Sequence, residues 1–126
     1  MSIDLSIIIV NWNVCDFLRD CLRSIDAGRG DHSLEVIVVD SASSDGSVEM
    51  VKAEFPWVRL IARDDNVGFP KGNNIGMAEA RGRYLLLLNP DTVVLGDAVQ
   101  AMQAYLQGHP DIGALGPQLL NADSSV

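Results

Sequence analysis

Leu34-Glu-Val-Ile-Val-Val39 runs directly into Asp40, and the polar segment Ser41-Ala-Ser-Ser-Asp45 follows. An apolar run rich in β-branched side chains, without polar alternation, reads as a strand covered on both faces. Asp40 ends it abruptly. Toward the N-terminus, Leu5–Val10 (LSIIIV) has the same character and is broken by Asn11, Trp12 and Asn13. Between these strands the apolar residues Phe17, Leu18, Cys21, Leu22 and Ile25 fall at helical spacing. Asn13 is the expected cap of that helix, and Gly28 and Gly30 are expected to close it.

Toward the C-terminus the alternation continues. A helix is expected from about Gly46 to Glu54, with Val48, Val51 and Phe55 on one side, until Pro56 stops it. Val58–Ala62 reads as a third strand, Arg63–Gly68 as a turn-rich loop, and the next segment as a short helix ending at Gly82. Tyr84–Leu88 is a fourth strand, taken as buried, that leads into Asn89-Pro90-Asp91. Asp97 should cap a last helix carrying Val99, Met102, Tyr105 and Leu106, with Gly108 and Pro110 closing it. Ile112–Leu115 and Gln118–Leu120 read as further extended pieces. Strands alternating with helices imply right-handed β-α-β units, a mainly parallel sheet with flanking helices, and an α/β, Rossmann-like fold.

The 126 residues suit one domain, residues 1–126, and 48% apolar content suffices for a core. No stretch approaches the roughly 18–20 apolar residues that span a bilayer. Asp4 interrupts the N-terminus before any signal segment could form, so the default expectation is cytoplasmic. Nine basic against seventeen acidic side chains give a formal net charge of −8, which argues against nucleic acid as a partner. Cys15 and Cys21, six residues apart on one helix, would be about 9 Å apart along its axis, too far for a disulfide. His32 and His109 have no partners at metal-binding spacing and read as surface residues.

In a parallel sheet the carboxyl ends of the strands share one edge, and ligands gather there. Four polar segments meet on it: Asn11-Trp12-Asn13, Asp40 with its serines, Asp64–Gly68, and Asn89-Pro90-Asp91. The first strand lacks the GxGxxG turn of dinucleotide-binding proteins. Asp40 has two readings: a loop aspartate holding the next turn, or a carboxylate accepting the ring N–H of a uracil or thymine. Asp45 is expected to cap the following helix. Asn66-Val-Gly-Phe-Pro-Lys-Gly-Asn-Asn-Ile-Gly76 carries three glycines and three asparagines in eleven residues. It is either a solvated turn with a surface lysine or a loop that presents Lys71 and a helix N-terminus to an anion. Asp91, beyond four leucines and fixed by Pro90, is either a turn residue or a ligand for Mg²⁺ or Mn²⁺. An acidic chain that binds an anionic diphosphate needs such a cation between them.

Taken in order, SIIIVNWN, VIVVDSASSDGS, NVGFPKGNNIG and YLLLLNPDT resemble the motifs of glycosyltransferase family 2, which has the GT-A fold. The resemblance covers nearly the whole chain. It implies that Asn11, Trp12, Asn13 and Asp40 hold the nucleoside base of a nucleoside-diphosphate sugar. It places Asn66, Gly68, Lys71, Gly72 and Asn73 against ribose and diphosphate, and it makes Asn89-Pro90-Asp91 the counterpart of the metal-binding DxD motif. Asn89 in the first DxD position resembles the rhamnosyltransferase-like branch and leaves Asp91 as the principal metal ligand. Pro70 stands where a small residue is common.

The implied chemistry is inverting transfer from a dTDP- or UDP-sugar, with rhamnose favoured, to a glycan or lipid-linked acceptor such as a polysaccharide or cell-wall precursor. The full protein would then work in the cytoplasm or at the inner face of the membrane. The resemblance puts the general base well beyond Asp91, and residues 119–126 end before such a segment. The expectation is therefore a donor-binding part, truncated at the C-terminus and without catalytic base, that binds donor but does not transfer sugar. An unpaired strand edge would make self-association a hazard. A sugar nucleotidyltransferase and a non-catalytic nucleotide-binding module are the competing readings. The first would want a glycine-rich, basic signature near strand one in place of Asn11-Trp12-Asn13.

Overall fold

The computed structural model describes residues 3–29 and 33–109. The extended pieces expected at 112–115 and 118–120, and Gly30, His32 and Pro110, lie outside them. The elements alternate as the sequence pattern requires: β1 (Ile3–Asn11), α1 (Cys15–Gly28), β2 (Leu34–Ser41), α2 (Ser47–Glu54), β3 (Arg59–Arg63), α3 (Gly68–Glu79), β4 (Gly82–Leu87) and α4 (Ala98–Gly108). All strand pairs are parallel, in the order β3-β2-β1-β4.

Given that order, chirality decides which face each helix covers. The chain steps from β1 to β2 to β3 in one direction, with α1 and α2 on one face, then reverses to place β4 on the far side of β1. A right-handed crossover in the reverse direction must pass over the other face. So α3 packs against Ile8, Val10, Ile37 and Val39. Side chains of α1, α2 and α4 meet Leu5, Ile7, Ile9, Val36 and Val38 on the opposite side. β1 and β2 are thereby buried on both faces, as their unbroken apolar runs predict.

The approach of α3 depends on two glycines one turn apart. A Cβ on Gly72 would lie 2.7 Å from Val10 Cγ1, and one on Gly76 would lie 2.5 Å from Ile8 Cγ2. Neither neighbour is free to move aside, since Ile8 is fully buried and Val10 nearly so. Gly72 is therefore a packing residue, turned toward the sheet.

The amino ends of the strands are tied by a polar cluster. Buried Ser6 Oγ donates to Glu35 Oε2 (2.6 Å) and accepts from Gly82 N–H (2.7 Å). Arg81 N–H donates to the same Glu35 oxygen (2.6 Å), while its guanidinium stands 3.5 Å from Oε1, an ion pair rather than a good hydrogen bond. Gly82 opens β4 here because a Cβ would sit 2.5 Å from Ser6 N. The expected helix therefore ends earlier, at Glu79, and Gly82 belongs to the strand.

Other local expectations need correction. Asn13 does not cap α1: its backbone is left-handed (φ 53°), and α1 begins after Val14 without a side-chain cap of its own. Met50 and Val51 are the buried apolar residues of α2, with Val48 half-buried. Asp97 precedes α4, yet its side chain makes no capping bond. β4 is not a buried strand among the described residues. Tyr84 and Leu86 pack into the core, whereas Leu85 and Leu87 are about half exposed, because α3 covers β1 and β2 and stops short of β4.

Two outcomes follow. Burial raises the Glu35 pKa, but the Ser6 hydroxyl, Arg81 N–H and Arg81 charge outweigh it and hold the carboxyl below its ordinary value. Glu35 thus contributes stability that is present above the unfolded carboxyl pKa of about 4.3 and lost as pH falls through the lower folded value. Denaturant titrations from pH 7 to 2 should show a steeper acid loss in the wild type than in Glu35→Gln. Gly76→Ala should destabilise by about 1–3 kcal/mol, since overpacking against Ile8 outweighs the helix preference for alanine. Asn74→Ala, on the exposed side of α3, should be neutral or mildly stabilising in the same thermal melts.

Candidate functional site

The reversal of strand order leaves a crevice at the carboxyl ends of β1 and β4, the place where open α/β sheets bind ligands. Along this edge the sheet presents, in spatial order, the Asp64–Gly68 loop, the Asp40 loop, Asn11–Asn13 and Asn89–Asp91. Adjacent strands lie about 4.8 Å apart, so four segments distant in sequence become neighbours.

The centre is a buried node. Asn11 and Asp40 are register partners at the last rungs of β1 and β2, 0% and 1% exposed. Asn11 Nδ2 donates to Asp40 Oδ1 (2.9 Å) and more weakly to Ser43 Oγ (3.3 Å). Ser43 Oγ donates to Asp40 Oδ1 (2.7 Å) and accepts from Asn13 N–H (2.9 Å), and Ser43 N–H donates to Asp40 Oδ2 (2.9 Å). The Ser43 hydroxyl has no capacity left, and Asp40 has three donors, as a carboxylate out of water requires. Asp40 thus braces its loop from beneath. Asn11 Oδ1 is buried without a partner among the described residues.

The loops above the node are bonded to one another. Ser44 N–H donates to Asn13 Oδ1 (2.7 Å), which fixes Asn13 in its left-handed conformation. Asp45 serves two helices: Oδ2 accepts from Cys15 N–H at the start of α1 (2.9 Å), and Oδ1 accepts from Ser47 N–H at the start of α2 (3.1 Å). Burial pushes its carboxyl up, but the Ser47 and Cys15 donors bring it below the usual range. The expected cap of α2 thus also supplies the cap that Asn13 does not provide. Ala42 is held at φ 61°, an uncommon conformation for alanine.

Asn66 is exposed but tied down. Its Oδ1 accepts from Ser41 Oγ (2.8 Å) and Gly68 N–H (3.1 Å), while Ser41 Oγ accepts from Val67 N–H (2.7 Å). This chain of bonds fastens the loop before α3 to the end of β2. Gly68 has φ 78° and opens α3. Pro70 sits in the first turn of that helix, where a missing N–H costs nothing. Asn73 is buried with its Oδ1 unpaired among the described residues.

Other side chains remain free at the rim. Trp12 is 54% exposed. Lys71 is exposed on the first turn of α3 and makes no ion pair among the described residues. Asn89, Pro90, Asp91 and Thr92 form a turn closed by Thr92 N–H and Oγ1 on Asn89 O (3.2 and 2.7 Å). The Asp91 side chain is exposed and has no partner among the described residues. No group of three or more His, Cys, Asp or Glu side chains is poised to hold a metal among them. Burial pushes the Cys21 thiol up to about 11, against the pull of the Thr92 hydroxyl and with some help from Asp91. Burial and Asp45 also raise Cys15. Neither thiol is activated as a thiolate by its surroundings.

Residues 6–124 match the model of Glycosyl transferase family 2, and the chain belongs to that family. It is 35% identical over 100 residues to the succinoglycan biosynthesis protein ExoO of Rhizobium meliloti, an alignment covering 79% of this chain and 28% of that protein. The chain thus spans little more than a quarter of the length of this relative. Its fold resembles that of S. aureus TarS, solved with UDP-GlcNAc, at a TM-score of 0.75 and 22% identity over 92% of this chain and 37% of TarS. It also resembles the mannosyltransferase PcManGT of Pyrobaculum calidifontis, solved with GDP-Man and Mn²⁺, at a TM-score of 0.69 and 23% identity over 80% of this chain and 31% of the other. These likenesses establish the GT-A-like α/β fold of the parallel sheet. No described helix is long and apolar enough to cross a membrane.

Asp40, Asn66 and Asp45 stand out in the sequence, whereas Ser41 and Ser43, which organise Asn66 and Asp40, do not. The signal was present as closely spaced serines after a strand-end aspartate, a pattern that makes local side-chain-to-backbone bonds. Ser43→Ala strips Asp40 of one donor and leaves Asn13 N–H without its acceptor, so it should cost about 1–3 kcal/mol in chemical denaturation. Ser44→Ala should cost under about 0.5 kcal/mol, because Ser44 uses its backbone N–H rather than its hydroxyl.

Proposed function

We propose that this chain forms the donor-binding part of a metal-dependent, inverting glycosyltransferase that takes its sugar from a pyrimidine nucleoside diphosphate. The observation that carries this reading is the division of labour at the crevice. The node and loops are cross-braced by internal bonds, whereas Asp91, Lys71 and Trp12 stand free at the rim. A site built for an anionic ligand bridged by a cation has this form: bonded loops below, with the unengaged carboxylate of Asp91 at the end of the central β1–β4 pair and the unengaged ammonium of Lys71 above. The other unengaged carboxylate of this rim among the described residues, Asp64, stands at the outer strand β3.

The donor set suits a hard cation that keeps water and borrows ligands from its substrate. Asp91 would hold Mg²⁺ or Mn²⁺, hard cations that take oxygen ligands and tolerate a site with few protein donors. When bound, the ion supplies Lewis-acid stabilisation of charge on the departing diphosphate. Lys71, on the first turn of α3, adds its charge on the phosphate side, together with the partial positive end of that helix. Trp12 offers a flat apolar face to the base, and Asn13 fixes the backbone that carries it. Asp40 and Asn11 act from beneath, holding the loop that frames the base. A ring N–H reaches the spare lone pair of Asp40 Oδ2 only if the Ser43 loop lifts. Asn66 and Gly72 shape and seat the α3 loop, while Gly68, Asn73 and Asn89 lie along the path of ribose and diphosphate.

No described carboxylate is assigned as general base, since Asp40 and Asp45 are tied into loops. The acceptor is read as a glycan or lipid-linked precursor, in keeping with the succinoglycan role in the name of ExoO. Among donors, dTDP-rhamnose is the working choice because of Asn89. UDP-GlcNAc is the sugar nucleotide seen with TarS.

Calorimetric titration of dTDP, UDP and GDP, with and without Mn²⁺, tests the reading. Pyrimidine diphosphates should bind at least about tenfold more tightly with Mn²⁺, and Asp91→Ala should remove that gain, a change of about 1.4 kcal/mol or more. Equal binding with and without Mn²⁺, or an unchanged Asp91→Ala variant, would contradict the metal assignment. Preference for GDP would contradict the pyrimidine assignment.

A further inference from the structure

The segment from Leu88 to Asp97 carries Asp91 between β4 and α4 without helix or strand structure of its own. Its outer side chains Val93 and Leu95 are 58% and 61% exposed. A loop of this length holds a side chain in place only if its backbone is fastened at several points. Those points lie on α1. Cys21, Ser24 and Gly28 stand at i, i+3 and i+7, a single ridge of the helix. Along this ridge they meet the loop in the loop's own order. Cys21 Sγ lies 4.0 Å from Asn89 O, Ser24 Oγ accepts from Val94 N–H (2.9 Å), and Gly28 abuts Gly96 so closely that a Cβ would sit 2.5 Å from Gly96 O. Gln100 Nε2 then closes on Gly28 O (2.9 Å).

Ser24 is the firm link among these. Its hydroxyl donates to Cys21 O (2.6 Å) while accepting from Val94 N–H, so its rotor is locked at both ends. The thiol contact of Cys21 is long and weak by comparison. Beyond Leu88, whose N–H is bonded to Ile8 O (2.9 Å), Ser24 holds the next well-formed hydrogen bond from the loop backbone to another element among the described residues. Asp91 therefore hangs between two fixed points, Leu88 on β1 and Val94 on α1.

The geometry points to Ser24 as a positioning residue for the metal-binding carboxylate: through Val94 it sets the loop that presents Asp91 to the cation. This rests on the reading of Asp91 as metal ligand. It concerns a helix face remote from the ligand side of the crevice, where neither charge nor exposure marks a functional residue.

The test combines Mn²⁺-dependent UDP binding with amide hydrogen exchange on this chain, comparing wild type with Ser24→Ala, Ser24→Thr and Gly28→Ala. Ser24→Ala should speed exchange at Val94 and weaken Mn²⁺-dependent UDP binding about three- to tenfold, the range expected for one lost hydrogen bond. UDP binding without metal should stay within about twofold, which a general loss of structure would not permit. Ser24→Thr, which keeps the hydroxyl, should restore both readouts. Gly28→Ala, which pushes Gly96 away from the other end of the loop, should lower metal-dependent binding in the same direction, and it carries the test alone if Ser24→Ala fails to fold. Faster exchange at Val94 with unchanged metal-dependent affinity would overturn the proposal, as would equal losses with and without metal. A wild type whose UDP binding ignores Mn²⁺ would overturn the Asp91 reading first, and this inference with it.

Discussion

A strand buried on both faces has no side chain left for solvent chemistry, and β1 and β2 are such strands from Leu5 and Val36 to their carboxyl ends. Every polar group that this sheet offers must therefore come from its two ends. The tight seating of α3 on Val10 and Ile8 closes one face, and α1 and α2 close the other. What remains is a rigid slab with two polar rims, and the rims have been put to different uses.

At the amino rim, Ser6, Glu35, Arg81 and Gly82 are bonded to one another across β1, β2 and the start of β4, with Glu35 Oε1 left to its ion pair with Arg81. The cluster replaces hydration with internal donors and fixes the register of β4 against β1. At the carboxyl rim the same principle is carried only part way. Asn11, Asp40, Ser43, Ser41 and Asn66 are bonded among themselves, while Asp91, Lys71 and Trp12 are left open. Groups that bond only to one another make a structural rim. Satisfaction below with free groups above makes a rim that can take a ligand while its own loops stay in place.

The left-handed residues Asn13 and Ala42 belong to this arrangement. Both stand beside Ser43, whose hydroxyl is saturated by Asp40, Asn11 and Asn13. Backbone conformations that cost energy persist where surrounding bonds over-determine them, and they do so most often in functional loops. Here the over-determination comes from the node that terminates the two central strands. Loop shape at the rim is thus a consequence of how the strands end.

The order and type of the elements were legible in the residues, since unbroken β-branched runs and helical apolar spacing are local properties of the chain. The convergence of Asn11, Asp40, the Asn66 loop and Asp91 also followed, because parallel strands must share a carboxyl edge. Membership of glycosyltransferase family 2 was legible in four ordered motifs. The sequence could not decide what each polar residue does, for a side chain's partners are set by distant segments brought close. Asp40 and Asn66 look alike as loop polars, yet Asp40 is buried beneath Ser43 while Asn66 stays exposed and is tied to Ser41. Gly72 looks like part of a phosphate loop, and nothing in the sequence shows that it also lets α3 close on Val10. Gly82 looks like a helix stop and starts a strand, because Ser6 leaves no room for a Cβ. Ser24 carries no sequence signal at all. Its partner, Val94, is seventy residues away and becomes a neighbour only when the chain reverses over the sheet and lays the loop after β4 along α1.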